Sequence, residues 1–289
     1  MARSLVIQRF RSSSAAAGLA LLPLATIVLA SGCDSETKAG KLQTQANATM
    51  AAVDTPSQPP TPEETAEARK RADWAIEAHG GATRLARIKG VIETLDGTVG
   101  AVPNDLLSKG EMHIQFPDRV RLKLDQDTPV GKVQVSIALA GSVGWEAKGP
   151  EVSDMSPTQV PDVLTDLYIQ RLAIVMPLKE ESTQLWPLPE ISVNNRRAVG
   201  IRVKPAKKPA LEMYFDKETG HHIRTVALVH EASMPVRRDI LYLGHKEFDG
   251  VWLPTRLLEL RDGTKFVEWL SISYQFVDQI DEKLLKRPQ

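Results

Sequence analysis

The chain has a single cysteine and lacks the short signatures of common enzymes. Among its 289 residues only Cys33 carries a thiol. An internal disulfide and a Cys-Xaa-Xaa-Cys redox or zinc motif are therefore excluded. Neither a Gly-Xaa-Ser-Xaa-Gly nucleophile motif nor a glycine-rich phosphate loop is present. These absences argue against the commonest hydrolases, redox enzymes and nucleotide-binding enzymes.

An excess of charge of either sign is also missing. The chain has 36 basic and 36 acidic residues, and no basic stripe stands out along it. Surfaces that bind nucleic acids are typically basic, because they neutralise phosphate groups. The sequence therefore predicts no nucleic-acid partner.

The first 33 residues have the parts of a secretory signal. Arg3, Arg9 and Arg11 form a basic start, and an apolar run over residues 15–30 follows. That run is shorter than the roughly 20 residues that a membrane-spanning helix needs. Residues 1–33 are therefore predicted to be a signal peptide.

The end of this segment, Leu29-Ala30-Ser31-Gly32-Cys33, resembles the lipobox of bacterial lipoproteins. In such proteins a peptidase cuts before a cysteine that carries a diacylglyceryl group. Cys33 is therefore predicted to be lipidated and to attach the chain to a membrane, since several acyl chains on one residue anchor stably. The alternative is an incidental thiol that behaves as a small buried hydrophobe.

Residues 34–60 have the composition of a disordered tether. Ser, Thr, Gln, Ala, Lys and Pro dominate and aromatic residues are missing, so little apolar surface is available to offset the entropy of ordering. A coil of about 27 residues reaches roughly 30 Å. The predicted location is the cell envelope, facing the periplasm. Asp34 resembles an inner-membrane retention signal of enteric bacteria, but that rule varies among bacterial groups, so the choice of membrane stays open.

Residues 61–289 are predicted to form one domain that begins with a helix. Thr61-Pro62-Glu63-Glu64 has the pattern of a capping box with proline at the first helical position. Gly80-Gly81 ends the helix. Its buried stripe is expected at Ala68, Ala72, Ala75 and Ile76.

Beyond this helix the hydrophobic period changes from helical to two, which indicates strands. Met112, Ile114 and Phe116 alternate with polar residues, and Pro117-Asp118 turns the chain. Similar runs predict about ten antiparallel strands. Over residues 156–176 the apolar residues return to helical spacing, which predicts a helix between the strands. This helix is expected to cover a face or the mouth of the sheet. The predicted fold class is α+β, mostly antiparallel β, with helices on the concave side of a curled sheet.

Several short segments occur in a familiar order. They are Ala78-His79-Gly80-Gly81, Lys89-Gly90-Val91, Phe116-Pro117-Asp118-Arg119-Val120-Arg121, a Trp145 hairpin after Ala140-Gly141, the mid-chain helix, Tyr214-Phe215-Asp216 with Thr219-Gly220, and Phe248-Asp249-Gly250-Val251-Trp252-Leu253-Pro254. In this order the chain resembles the LolA/LolB-like superfamily of outer-membrane lipoprotein-sorting proteins.

The resemblance implies an incomplete, half-open antiparallel barrel that is lidded by helices and encloses an apolar cavity for acyl chains. It thus implies a lipid or lipoprotein acyl chain as the ligand. The lipobox matches the membrane-anchored receptor of this superfamily, whereas the soluble periplasmic carrier lacks one. The lid-latching arginine of the carrier does not align with one particular residue here, so the resemblance does not establish a shuttle mechanism.

Large apolar residues on predicted strands or on the mid-chain helix are the candidates for lining such a cavity. Each of them also suits an ordinary core, because aromatic residues on strands mostly pack against their neighbours. The candidates are Trp145, Leu167, Tyr168, Leu172, Trp186, Met213, Trp252 and Trp269.

The histidines are the strongest candidates for an enzyme or metal site, and their spacing is unfavourable. Adjacent strand residues such as His221 and His222 point to opposite faces. His222 and His230 are eight residues apart, which is roughly 26 Å along an extended strand. We therefore interpret these histidines as turn and surface residues, and predict no metal site, no cofactor and no catalytic residue.

Three functions stay open from the sequence. The domain binds or transfers a lipid or acyl chain, or it is an envelope protein-interaction or stress-sensing module, or it is an unrecognised hydrolase. An apolar volume of roughly several hundred Å³ favours the first and a filled interior the second. A buried His–carboxylate pair beside a serine in a cleft would favour the third.

Overall fold

The computed structural model describes residues 58–100, 104–206, 208–231 and 233–288. The predicted signal peptide, the predicted lipidation site Cys33 and almost all of the predicted tether lie outside the described residues. Among the helices that the structure describes, none has both the length and the apolar composition to cross a membrane.

Helix α1 (Pro62–Ala78) begins with the predicted capping box. The Thr61 Oγ1 atom accepts a hydrogen bond from the Glu64 N–H at 3.1 Å, and the Glu64 carboxylate accepts one from the Thr61 N–H at 2.8 Å. The predicted buried stripe is confirmed, since all four residues are at most 1% exposed. A second, short helix, α2 (Ala82–Leu85), follows.

In the described residues, fifteen strands and a third helix follow α2. The strands are β1 (Gly90–Val99), β2 (Leu106–Gln115), β3 (Arg119–Thr128), β4 (Gly131–Ala140), β5 (Val143–Lys148), β6 (Glu151–Asp154), β7 (Gln184–Val193), β8 (Arg196–Lys204), β9 (Leu211–Asp216), β10 (His222–Glu231), β11 (Met234–Leu243), β12 (Lys246–Phe248), β13 (Val251–Leu253), β14 (Arg256–Arg261) and β15 (Thr264–Val277). Helix α3 (Gln159–Ala173) lies between β6 and β7, and two 3₁₀ turns occupy Met176–Lys179 and Glu282–Leu285.

Thirteen of the described strands form one antiparallel sheet. Its order is β6-β5-β4-β3-β2-β1-β15-β14-β11-β10-β9-β8-β7, and β12 and β13 form a separate hairpin. The predicted α+β class with a mostly antiparallel sheet is thus confirmed. The sheet is open, because its edge strands β6 and β7 do not pair with each other. A half-open barrel therefore stays a prediction.

The alternation of apolar and polar residues did not predict the two edge strands, β6 and β7, and the reasons can be identified. Pro187 and Pro189 interrupt the alternation in β7, and proline is tolerated there because an edge strand has no partner on one side. β6 has only four residues, and most of them are exposed. Edge strands that are short or contain proline therefore show only a weak alternation of apolar and polar residues.

Helices α1 and α3 pack on the same face of the large sheet. We call this the inner face; it carries Leu95, Met213 and Trp269, which share one core with Ile76 of α1 and Leu172 of α3. The expectation that helices cover one side of the sheet agrees with this core. Each fully buried side chain of this size contributes roughly 1.5–3 kcal/mol.

Helix α3 is slightly shorter than its predicted range. It ends at Ala173, so the predicted helical positions Val175 and Met176 lie beyond it. Val175 has a positive φ of 53° and Pro177 follows in the next turn. Because proline and the residue before it disfavour helix continuation, the chain turns here.

Candidate functional site

A cavity of about 130 Å³ lies between α3 and the inner face. Charged side chains line one side of it, with Asp166 from α3 facing Glu231, Arg238 and Arg261 from the sheet. Five apolar side chains also line it, namely Leu122, Ile137, Met155, Val163 and Val229, and the lining is completed by Glu146, Gln159, Asp162, Thr165 and His230. An apolar floor with polar groups at its margin is typical of small-molecule sites.

Arg238 on β11 is the centre of the charged side. Its side chain is 7% exposed, and its Nε lies 2.9 Å from the Glu259 Oε1 atom. Its Nη2 donates to Glu259 Oε2 at 3.1 Å, and its Nη1 pairs with Asp166 of α3. Arg261 also pairs with Glu259, at 3.1 Å, and with Glu231. This network joins the helix to the sheet at the edge of the cavity.

Mutual pairing keeps the central groups charged. Burial opposes the charge of Arg238, but Glu259 and Asp166 raise the pKa of its guanidinium. Burial likewise opposes the charge of Glu259, but Arg238 and Arg261 hold the pKa of its carboxyl below the usual value. Burial raises the pKa of Glu231, even though Arg261 and Arg238 favour its charge. Buried charges of this kind are costly unless all partners are in place.

Glu93 on β1 is a second acidic group on the inner face, and it lies apart from this network. It alternates with the buried Val91 and Leu95, and its side chain is 7% exposed. Met112 and Tyr274 lie directly opposite it on the neighbouring strands. Burial raises the pKa of the Glu93 carboxyl to about 8. Among the described residues, none forms a hydrogen bond or an ion pair with this carboxyl group.

The eight cavity candidates from the sequence fall into two groups, and none of them is among the described residues that line the cavity. Five belong to the helix α3 side or to the inner face: Leu167, Tyr168, Leu172, Met213 and Trp269. The remaining three are tryptophans placed elsewhere: Trp145, Trp186 and Trp252.

Trp145 and Trp186 lie on the outer face of the sheet. Trp145 is opposite Ala138 on β4, which alternates with the cavity residue Ile137, so its ring points away from the cavity. Its Nε1–H donates to the Leu285 carbonyl at 2.9 Å. Trp186 is opposite Arg202, whose neighbours in β8 face the core.

Trp252 lies on the β12–β13 hairpin, within a histidine cluster at the end of α1. Its ring stacks on His221 at 5.1 Å, and His221 stacks on His245 at 4.7 Å between ring centroids. The His79 Nδ1 atom lies 2.7 Å from the Ala75 carbonyl, and its Nε2 accepts from the His222 N–H at 3.2 Å. The cluster therefore fixes the helix end against β10 and the hairpin.

The interpretation of the histidines as turn and surface residues was wrong for His222. It is 1% exposed, because a register shift in β10 turns it into the core. Burial lowers the pKa of His79 to about 4 and that of His245 to about 3. In the described part of the chain, no group of three or more His, Cys, Asp or Glu side chains has an arrangement suited to a metal ion.

The residues that define the site were not among the sequence candidates. Glu93 and Arg238 are charged residues at positions where the alternation of their strands demands an apolar side chain, and that mismatch was visible in the sequence. Glu259 lies between Leu258 and Leu260, where alternation permits a polar residue. Asp166 gave no such signal, because its role depends on where α3 crosses the sheet.

Comparison with known proteins finds similar structures but no matching sequence family. No family model and no curated protein matches the sequence. A DUF1329 family protein from Desulfovibrio piger is 13% identical, and the match covers 76% of this chain and 97% of that one at a TM-score of 0.50.

Two further solved structures match at lower scores. A putative outer membrane lipoprotein-sorting protein domain from Vibrio parahaemolyticus is 11% identical, covering 76% of this chain and 96% of that one at a TM-score of 0.46. A LolA superfamily protein from Nitrosomonas europaea is 12% identical, and the match covers 76% of this chain and 97% of that one at a TM-score of 0.44. The chain has a LolA-like fold, and the resemblance seen in the sequence is confirmed at the level of the fold alone.

Proposed function

We propose that this chain is a lipid-anchored protein of the cell envelope whose domain binds an acyl chain between α3 and the inner face. The cavity beneath α3 is the observation that carries this proposal, because it joins an apolar floor to charged residues at its margin. Such a site suits an amphipathic ligand with its apolar part inside and its polar part at the edge.

Binding of a whole acyl chain requires α3 to shift. The cavity of about 130 Å³ is smaller than the 300–1,000 Å³ typical of pockets that enclose a drug-sized ligand. The Arg238–Asp166 pair joins the helix to the sheet at the cavity edge, and the Asp166 side chain is half exposed. Because Asp166 is half exposed, water can solvate its carboxylate when the pair opens, and the buried Arg238 then keeps Glu259 as its partner.

Lipid binding is tested by native mass spectrometry of the full chain, purified from bacterial cells and held in amphipol. We expect wild type to retain phospholipid or fatty acid at a defined stoichiometry. Val163→Arg is expected to lower the bound fraction about tenfold, because it places a charge in the apolar wall. Val143→Arg is the matched control, since Val143 is 75% exposed at the start of β5. Equal lipid content in the two variants would contradict the proposed site.

Membrane attachment is proposed to occur through acylated Cys33. The motivation is the lipobox that ends at this residue, after the basic start and apolar run. We expect Cys33→Ser to accumulate as an unprocessed precursor and to take up no labelled palmitate in growing cells. Incorporation of label into the variant would exclude Cys33 as the lipidation site.

A second function is favoured by the dense interior. Leu172, Met213 and Phe215 are fully buried in the core, and the cavity is small for a lipid. A filled interior favours a module that uses its surface on an envelope protein partner. A clean mass without lipid, unchanged after incubation with phospholipid, would support this alternative over lipid binding.

A further inference from the structure

A row of inner-face side chains connects the cavity with Glu93. Strand register places Tyr274, Glu93, Met112, Leu122 and Ile137 opposite one another on β15, β1, β2, β3 and β4. We call these five residues the transverse row. Leu122 and Ile137 line the cavity. Because neighbouring strands are about 4.8 Å apart, Glu93 lies roughly 10 Å from Leu122.

The middle of the transverse row is incompletely covered. Met112, Leu122 and Tyr274 pack against the core but are only partly buried, whereas Ile201 and Met213 on the other half of the inner face are fully buried. The row is therefore a line of mostly apolar side chains that leads from the cavity to the Glu93 carboxyl group. Its length suits an extended hydrocarbon chain of moderate size.

The Glu93 carboxyl is available as a hydrogen-bond donor. The hydroxyl of its neighbour Tyr274 already donates to the Pro254 carbonyl at 2.8 Å, and that of Tyr242 donates to Thr225 at 3.5 Å. No cation among the described residues pairs with Glu93. Burial raises the pKa of this carboxyl to about 8 and so favours its neutral form, which can donate a hydrogen bond to an acceptor.

We propose that Glu93 binds the polar end of the ligand by donating a hydrogen bond to its acyl carbonyl oxygen, while the hydrocarbon chain follows the transverse row into the cavity. This rests on the proposed function and adds the chemical class of the ligand, which is an acyl ester. A neutral carboxyl selects a carbonyl acceptor, whereas an ionised one would select an ammonium group.

The test uses the full chain in amphipol with methyl palmitate labelled with ¹³C at the carbonyl carbon. Isotope-edited infrared spectroscopy reports whether the bound carbonyl accepts a hydrogen bond, because the band then shifts to lower frequency. We expect the shift in wild type and in Glu93→Gln, whose amide also donates, and not in Glu93→Leu. As the pH rises through 8 the shift should disappear in wild type and persist in Glu93→Gln. Glu151→Gln, an exposed glutamate on β6, is the control.

The outcomes separate the two proposals. If neither wild type nor any variant retains the ester, lipid binding itself fails. If wild type retains the ester with an unshifted band at every pH, Glu93 is not its partner and lipid binding stands. Tighter binding of hexadecylamine than of the ester would also overturn the assignment. Loss of the hydrogen bond in Glu93→Leu should weaken binding of the ester about tenfold relative to hexadecane, which has no acceptor.

Discussion

Replacement of the buried Arg238 by methionine is expected to lower the free energy of unfolding by about 3–5 kcal/mol. Methionine keeps much of the length of the side chain but removes its charge. Glu259 would then stay buried with Arg261 as its remaining partner, and Asp166 of α3 would lose its contact with the sheet. Urea denaturation followed by circular dichroism measures the change.

Two further variants are needed to interpret the loss of stability in Arg238→Met. Arg119→Met removes the same chemical group from an exposed pair with Glu282, so we expect a loss of at most about 1 kcal/mol. Adding Glu259→Met to Arg238→Met should recover part of the loss, because an apolar pair then replaces a buried carboxylate that has lost one of its two arginine partners. A loss in Arg238→Met no larger than that in Arg119→Met would mean that the network is not buried in solution.

Glu93→Gln is expected to stabilise the protein by about 3 kcal/mol more at pH 8 than at pH 5. Burial raises the pKa of the Glu93 carboxyl from 4.5 to about 8 in the folded protein. Between these values the folded protein holds a proton that the unfolded chain has released. The stability of wild type therefore falls as pH rises, by about 1.4 kcal/mol per pH unit. Glutamine does not titrate, so the variant lacks this loss.

Other titrating groups contribute equally to wild type and to Glu93→Gln, so their effects cancel in the comparison. Burial lowers the pKa of His79 to about 4, so its contribution is complete above pH 6.5 and is lost as pH falls. Burial raises the pKa of Tyr242 to about 12, and burial also raises that of Tyr274, so both tyrosines facing Glu93 stay neutral. Glu151→Gln is expected to change stability by less than about 0.5 kcal/mol. A difference between wild type and Glu93→Gln that does not vary with pH would falsify the raised pKa.

Local sequence signals predicted the elements whose patterns are self-contained. The capping box at Thr61 and the buried alanine stripe of α1 appear as predicted, because hydrogen bonding and amphipathicity within one helix do not depend on distant residues. Strands β2 and β3, with the turn at Pro117, follow the same logic. The candidate site could not be located in this way. Trp145 and Trp186 are large apolar residues of the kind that line cavities, but they lie on the outer face of the sheet.

The sequence by itself determined the fold class, the capping box of α1 and most of the strand positions, and it predicts a signal peptide and lipidation at Cys33, which lie outside the described residues. Each of these depends on residues that are near one another in the chain. Only the tertiary structure decided which face of the sheet each strand residue occupies, and where α3 crosses it. Strand order brings Arg238, Glu259 and Asp166 together, and register aligns Glu93 with the cavity. A one-residue shift in register would reverse every side chain of a strand, so no local pattern fixes such a site.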